Sequence, residues 1–218
     1  MRLTRVRLTS ILIAALAAVG LSFAAVTTAK PGNGGPEKFR ADLAPVPHPG
    51  NDAGSNATGR AKLHLRGDTV DVLLKARGLS DRLPHAMHIH GKDSGELAFC
   101  PGAERADDLR DDGLIETAEG LPDYGPIQVS FTTTGDTSPE SALDLDRFPV
   151  AKKNGKLTYK RSIPIPSQIA DDLDEKHIVI HGEDLNGNGS YDAEPKSAGL
   201  GVSLEAELPV ACGQIRLK

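Results

Sequence analysis

From Phe39 onward the chain alternates apolar and polar residues in short bursts. Phe39-Arg40-Ala41-Asp42-Leu43 has the period of two that a half-buried strand imposes. "RAKLHLRG" and "DTVDVLLKARG" repeat the pattern on either side of Gly67-Asp68, a pair suited to a tight hairpin. "PHAMHIHG", "PIQVSFTTT", "LTYKRSIPIP", "KHIVIHGED", "LGVSLEAEL" and "VACGQIRLK" read as further strands. The connections "PVPHPGNDAGSNATG" and "KKNGK" are dense in turn formers. "SQIADDLDE" reads as a turn or short helix. Residues 92–125 hold Gly, Pro and many acids with weak periodicity, and predict a long loop with one short helical turn. Loops of that length in compact domains are usually functional or mobile. Eight or nine short strands, little helix and no internal repeat predict an all-β fold. The expected architecture is a Greek-key β-sandwich or flattened barrel of about eight strands.

The first 29 residues break this pattern. Arg2, Arg5 and Arg7 precede an apolar run from Ile11 to Val26, and small residues end at Ala29. This is the layout of a signal peptide cleaved after Ala29, and it predicts a secreted, periplasmic or cell-envelope protein. The run is short for a spanning helix, and no later stretch is apolar enough to cross a membrane. Residues 30–38 then form a flexible leader, and 39–218 a single domain. Losing three arginines with the signal takes the formal charge from −5 to −8. An acidic balance argues against nucleic acid as the main partner. Tryptophan is absent and aromatics are few, so Val, Ile, Leu and Ala must build the core.

Two cysteines, Cys100 and Cys212, change the picture next. In an oxidising compartment such a pair is usually a disulfide, and closing so long a loop would stabilise the fold by about 4–5 kcal/mol in the chain-entropy view. The alternative is two free thiols. The two cysteines alone would leave a metal site incomplete.

The histidines carry the candidate chemistry. Side chains alternate across a strand, so Ala86, His88 and His90 share one face of "HAMHIHG", and Met87 and Ile89 the other. In "KHIVIHG", His177, Val179 and His181 share a face opposite Ile178 and Ile180. With the apolar faces in the core, His88, His90 and His181 point outward from the barrel wall. Imidazoles at i and i+2 on one strand, with a third from a neighbour, make a three-nitrogen set suited to copper, zinc, iron or nickel. The bland alternative is a set of ordinary surface histidines. His85 has the other parity and is expected to support the set through hydrogen bonds. His48 and His64 are expected to be structural or solvent-facing.

His85-Ala86-Met87-His88-Ile89-His90-Gly91 resembles the H-x-x-H-x-H strand of copper/zinc superoxide dismutases. Cys100 sits where that family places its loop cysteine. "HIVIHGEDLNGNG" is similar to its V-V-H-E-x-x-D-D-L-G segment, and "PVACGQI" to its terminal L-A-C-G-V-I strand. The agreement runs over about residues 57–218. The resemblance implies a Greek-key barrel. It also implies a mononuclear, catalytic copper on His88, His90 and His181, open to solvent, and pairing of Cys100 with Cys212. The implied reaction is dismutation of superoxide to oxygen and hydrogen peroxide. Two departures stand out. No histidine occurs between Lys92 and Lys176, so the family's bridging and zinc histidines have no counterpart and its zinc site is expected to be absent. Pro209 stands where the family has an arginine that guides the anion. The stretch "ATGRAKLHLRGDTVDVLLKARGLSDRLPHAMHIHG" also resembles CHRD domains, extracellular β modules with no firmly implied activity.

"DLNGNGSYD" adds a second candidate ion site. Asp184, Asn186, Asn188 and Asp192, with Gly189 at the turn, fit the start of a calcium loop, although its twelfth position is Pro195. The bland alternative is a Gly/Asn turn. Taken together, the sequence predicts an exported superoxide dismutase-like copper protein whose partners are copper ion and superoxide. A non-catalytic copper-binding or buffering protein, or a metal-free CHRD-like structural module, are the alternatives.

Overall fold

In a computed structural model, residues 36–51, 55–92 and 96–218 are described. The signal peptide and most of the leader lie outside the described residues. Eight strands form: β1 (Glu37–Pro45), β2 (Thr58–Arg66), β3 (Thr69–Arg77), β4 (Met87–His90), β5 (Ile127–Ser130), β6 (Leu157–Pro164), β7 (His177–His181) and β8 (Pro209–Leu217). They pair antiparallel in one sheet of order β5-β4-β7-β8-β1-β2-β3-β6. The connections β3–β4 and β6–β7 cross between its halves.

The sheet curls so that the segment just past β5 reaches β6. Phe131, just past β5, stacks on Tyr159 of β6 with ring centroids 5.4 Å apart and planes 10° from parallel. The Tyr159 hydroxyl donates to the Thr132 carbonyl at 3.0 Å, and Arg161 donates to the same oxygen at 2.8 Å. Inside the curl, the inward residues of every strand form one cluster, from Phe39, Leu63 and Val72 to Met87, Ile163, Ile178 and Ile215. The alternation in β1 and β2 survives as alternating exposure, as a sheet solvated on one face requires.

β4 and β7 differ, because every residue in them is buried. Their outer face is roofed by the segment after Glu96. That segment holds a 3-10 turn at Ala103–Arg105 and the helix α1 (Thr117–Tyr124). Glu116 and Glu119 cap α1 reciprocally, which satisfies backbone donors that a helix start leaves free. Ala106, Ile115 and Tyr124 of the roof, with Val46 past β1, pack on Val179 and Cys212. The Cys100–Cys212 disulfide, with Cα atoms 5.7 Å apart, ties the roof to β8. His48 braces it from below: its Nε2 meets the Pro209 carbonyl at 2.9 Å, and its Nδ1 accepts the Ile115 amide at 2.9 Å.

Two elements depart from expectation. The loop 92–125 carries a full eight-residue helix rather than one turn. The expected strand "LGVSLEAEL" instead contains a helical turn, α3 (Leu204–Glu207). Its even spacing of Val202, Leu204, Ala206 and Leu208 imitates a strand. However, Leu204 and Leu208 are also four apart, both are buried, and the Ser203 hydroxyl accepts the Ala206 amide at 3.3 Å as an N-cap. A short helix, α2 (Ser167–Asp171), falls where a turn or short helix is expected.

Candidate metal centre

The register of β4 and β7 assembles the histidines. His88 lies opposite Val179 and His90 opposite His177. His181 lies one step further along, with its amide on the Ala86 carbonyl at 2.8 Å. Directly opposite residues share a face, so all three imidazoles project to the same side. Irregular register at Ile89/His90 and at Ile180/His181 adjusts their aim. Ligand nitrogens of His88, His90 and His181 lie within 4.8 Å of one another. Among the described residues, no other trio of His, Cys, Asp or Glu gathers its ligand atoms so closely.

These are not the ordinary surface histidines of the bland alternative. The side chains do point away from the barrel core, but the roof covers them, leaving 3%, 0% and 2% exposure. Tyr124 packs on His90 with ring centroids 4.5 Å apart, and Phe148 on His88 at 5.3 Å. Sequence alternation sees only the two faces of a strand. It carries no signal for a distant loop folding back over one of them.

Hydrogen bonds fix two of the rings. His90 Nδ1 donates to the Gly125 carbonyl at 2.9 Å, and His181 Nδ1 to the Glu207 carbonyl at 2.8 Å. A carbonyl only accepts, so the proton sits on Nδ1 and each Nε2 keeps a lone pair. His90 Nε2, His181 Nε2 and both nitrogens of His88 are buried and have no hydrogen-bond partner. Burial also keeps the rings neutral. It holds His90 down to about 3 and His181 to about 4, and takes His88 well below the usual histidine value, helped by the neighbouring imidazoles at His88 and His90. Neutral, convergent lone pairs without partners fit a bound metal ion. A buried three-histidine group that could hold one is present.

An apolar cavity of about 180 Å³ reaches His88 and His181. Ile127, Leu143, Leu200 and Val202 line it, with Glu207 and no lysine or arginine among its walls. Leu143 and Leu200 are 57% and 39% exposed and mark its mouth. The Glu207 carboxylate accepts the Thr117 amide at 2.8 Å through Oε2, and its Oε1 is unpartnered. Burial pushes this carboxyl up to about 7.

His85 is fully buried and holds the backbone rather than the rings: its Nδ1 lies 3.0 Å from the His181 carbonyl, and its Nε2 3.1 Å from that of Ser80. His64 is exposed, while His48 is the buried brace of the roof. His177, opposite His90, is buried with Nδ1 unpartnered. The carbonyls of Gly125 and Glu207 and the side chains of Thr117 and Tyr124 have no sequence signal, since only the tertiary fold brings them here.

The second candidate site is also gathered. Asn186 and Asn188 both donate to Asp192, at 2.7 and 3.0 Å. Asp184 accepts the amides of Asn188 and Gly189, and Glu205 of α3 accepts those of Leu185 and Asp192. Each of these oxygens accepts a bond from the loop's own N–H groups and keeps a further lone pair. Among the described residues no helix is long and apolar enough to cross a membrane. In comparison with known proteins, no family model matches the chain and no curated sequence is similar to it.

Proposed function

We propose that the chain is an exported copper protein of the superoxide dismutase-like type, with one copper on His88, His90 and His181. The observation that carries this reading is the set of four buried, unpartnered imidazole nitrogens on three convergent rings. Imidazole nitrogen suits copper, and the disulfide suits an oxidising compartment. Copper would supply one-electron chemistry, taking an electron from one superoxide and passing one, with two protons, to a second. The chain's own residues would hold the ligand rings in one tautomer through the Gly125 and Glu207 carbonyls. They would also exclude bulk water with Tyr124, Phe148 and the roof.

The test is superoxide decay in stopped flow with copper-loaded, oxidised protein, and His181→Ala as control. Decay faster than free copper, lost in the variant, is the expected result. Equal decay in both proteins would overturn the dismutase reading. One observation favours copper holding without turnover: the approach cavity is apolar, bears an acid and lacks a cation, so nothing there draws in an anion. Tight copper binding without added decay would select that second reading. Calcium at Asp184, Asn186, Asn188 and Asp192 is a further part of the proposal, and heat on calcium titration that disappears in Asp184→Ala would support it.

A further inference from the structure

The formal charge of the chain is −5, yet β1, β2, β3, β6 and β8 together carry ten Lys and Arg against three acids. The register lines several of these cations up across the strands. Arg216 lies opposite Arg40, Arg40 opposite Lys62, Lys62 opposite Leu73, and Leu73 opposite Lys160. All four cations are exposed, and none makes an ion pair among the described residues. In the neighbouring row Asp42 is already bound to Arg60 at 2.7 Å, and Lys75 beyond it is unpaired.

Like charges directly opposite one another on a sheet are destabilising. An acidic protein has acids to spare, and it places them in its loops rather than here. Strands stand about 4.8 Å apart, so the row presents positive charge in a line of about 19 Å across four steps. A line of charge fits an extended polyanion better than a compact ligand. A shallow depression of about 510 Å³ lies along the same line, lined by Lys62, His64, Leu73, Lys160 and Arg161, with Asp71 among its walls but already paired with Arg66. It offers an apolar floor with cationic walls, which suits the ring and the acidic substituents of a sugar.

Other polyanions fit less well. Single-stranded nucleic acid is held by stacking on exposed aromatics, but the aromatic residues of these strands, Phe39 and Tyr159, are 4% and 3% exposed. A membrane surface asks for an apolar wedge beside the charges. Among the described residues the exposed large hydrophobics sit in loops or, as Leu217, at the end of β8.

We infer that this sheet face docks a linear anionic polysaccharide, laid across the strands along Arg216, Arg40, Lys62 and Lys160. The test is calorimetric titration of the full chain with a sulfated glycosaminoglycan octasaccharide at low and high salt. Binding that weakens steeply with salt is expected. The double variant Lys62→Glu/Lys160→Glu should weaken it by about tenfold per lost contact, with the milder Lys62→Gln/Lys160→Gln reported beside it should the reversal impair folding. Lys152→Glu/Lys153→Glu, the same charge change in a loop, should leave affinity unchanged. No binding at low salt, equal weakening by the loop variant, or tighter binding to duplex DNA or anionic vesicles would each overturn the inference.

Discussion

His88 shows what the centre costs at the scale of one residue. A buried nitrogen without a partner destabilises a fold by about 1–3 kcal/mol, and of the two buried His88 nitrogens only one has an acceptor at hand, the Ala142 carbonyl. Metal-free His88→Leu is therefore expected to unfold at higher denaturant than metal-free wild type, by about 1–3 kcal/mol. Its copper affinity, from chelator competition, should fall by more than the about 10–100-fold that removing an outer partner costs. A variant that is less stable without metal would show that His88 has a bonding role in the empty protein. The depressed imidazoles make a second prediction. With folded values near 3 for His90 and 4 for His181, protons compete with copper only as pH falls through that range. Affinity corrected for the chelator should stay flat from about pH 7.5 to 5.5, whereas exposed histidines would begin to lose it near their usual value of about 6.5. That His88, His90 and His181 gather is legible in the sequence, because a period of two places His88 and His90 on one face and parity selects His181. Thr117, Tyr124 and the Gly125 and Glu207 carbonyls were not legible, because loop closure alone delivers them.

At the scale of elements, the strands that alternate were readable and the segment that merely imitates alternation was not. β1 to β4 and β6 to β8 lie where period-two patterning puts them. α3 escapes the pattern because its apolar residues satisfy both periods, and the deciding bond, from the Ala206 amide to the Ser203 hydroxyl, is local and polar. Ser203→Ala should cost about 1 kcal/mol in denaturant unfolding. Because α3 ends on Glu207, whose carbonyl orients His181, the same change should lower copper affinity. Unaltered affinity would mean that Leu204 and Leu208 alone hold the turn in place. The length of α1 is hidden by Gly120 and Pro122, residues that argue against helix by propensity, and Gly120 is where the Tyr124 ring packs too closely for a Cβ.

The whole molecule couples roof and barrel through one covalent link. The Cys100–Cys212 pair spans 112 residues, so reduction should remove about 4–5 kcal/mol of stability in the chain-entropy view. Hydrogen exchange should rise first in residues 96–125, which the link pins to β8. Uniform exchange before and after reductant would show that Val46, Ile115 and Tyr124 suffice to hold the roof. Overall class and architecture could be read from strand count and turn spacing. The roof could not, since acids and glycines without period give no hint of a surface they cover.

The contact between β6 and the segment past β5 has a consequence for life at high concentration. An unpaired strand edge is a template on which another chain can add. Here the stacked rings of Phe131 and Tyr159, with the bonds to the Thr132 carbonyl, occupy the place where such growth would begin. Part of the β6 edge is thereby shielded by side chains, and resistance to such growth rests on Tyr159 and Arg161, on the strand farthest from β4 and β7 in the sheet order. Tyr159→Ala should scatter more light on concentration while its histidines remain in place.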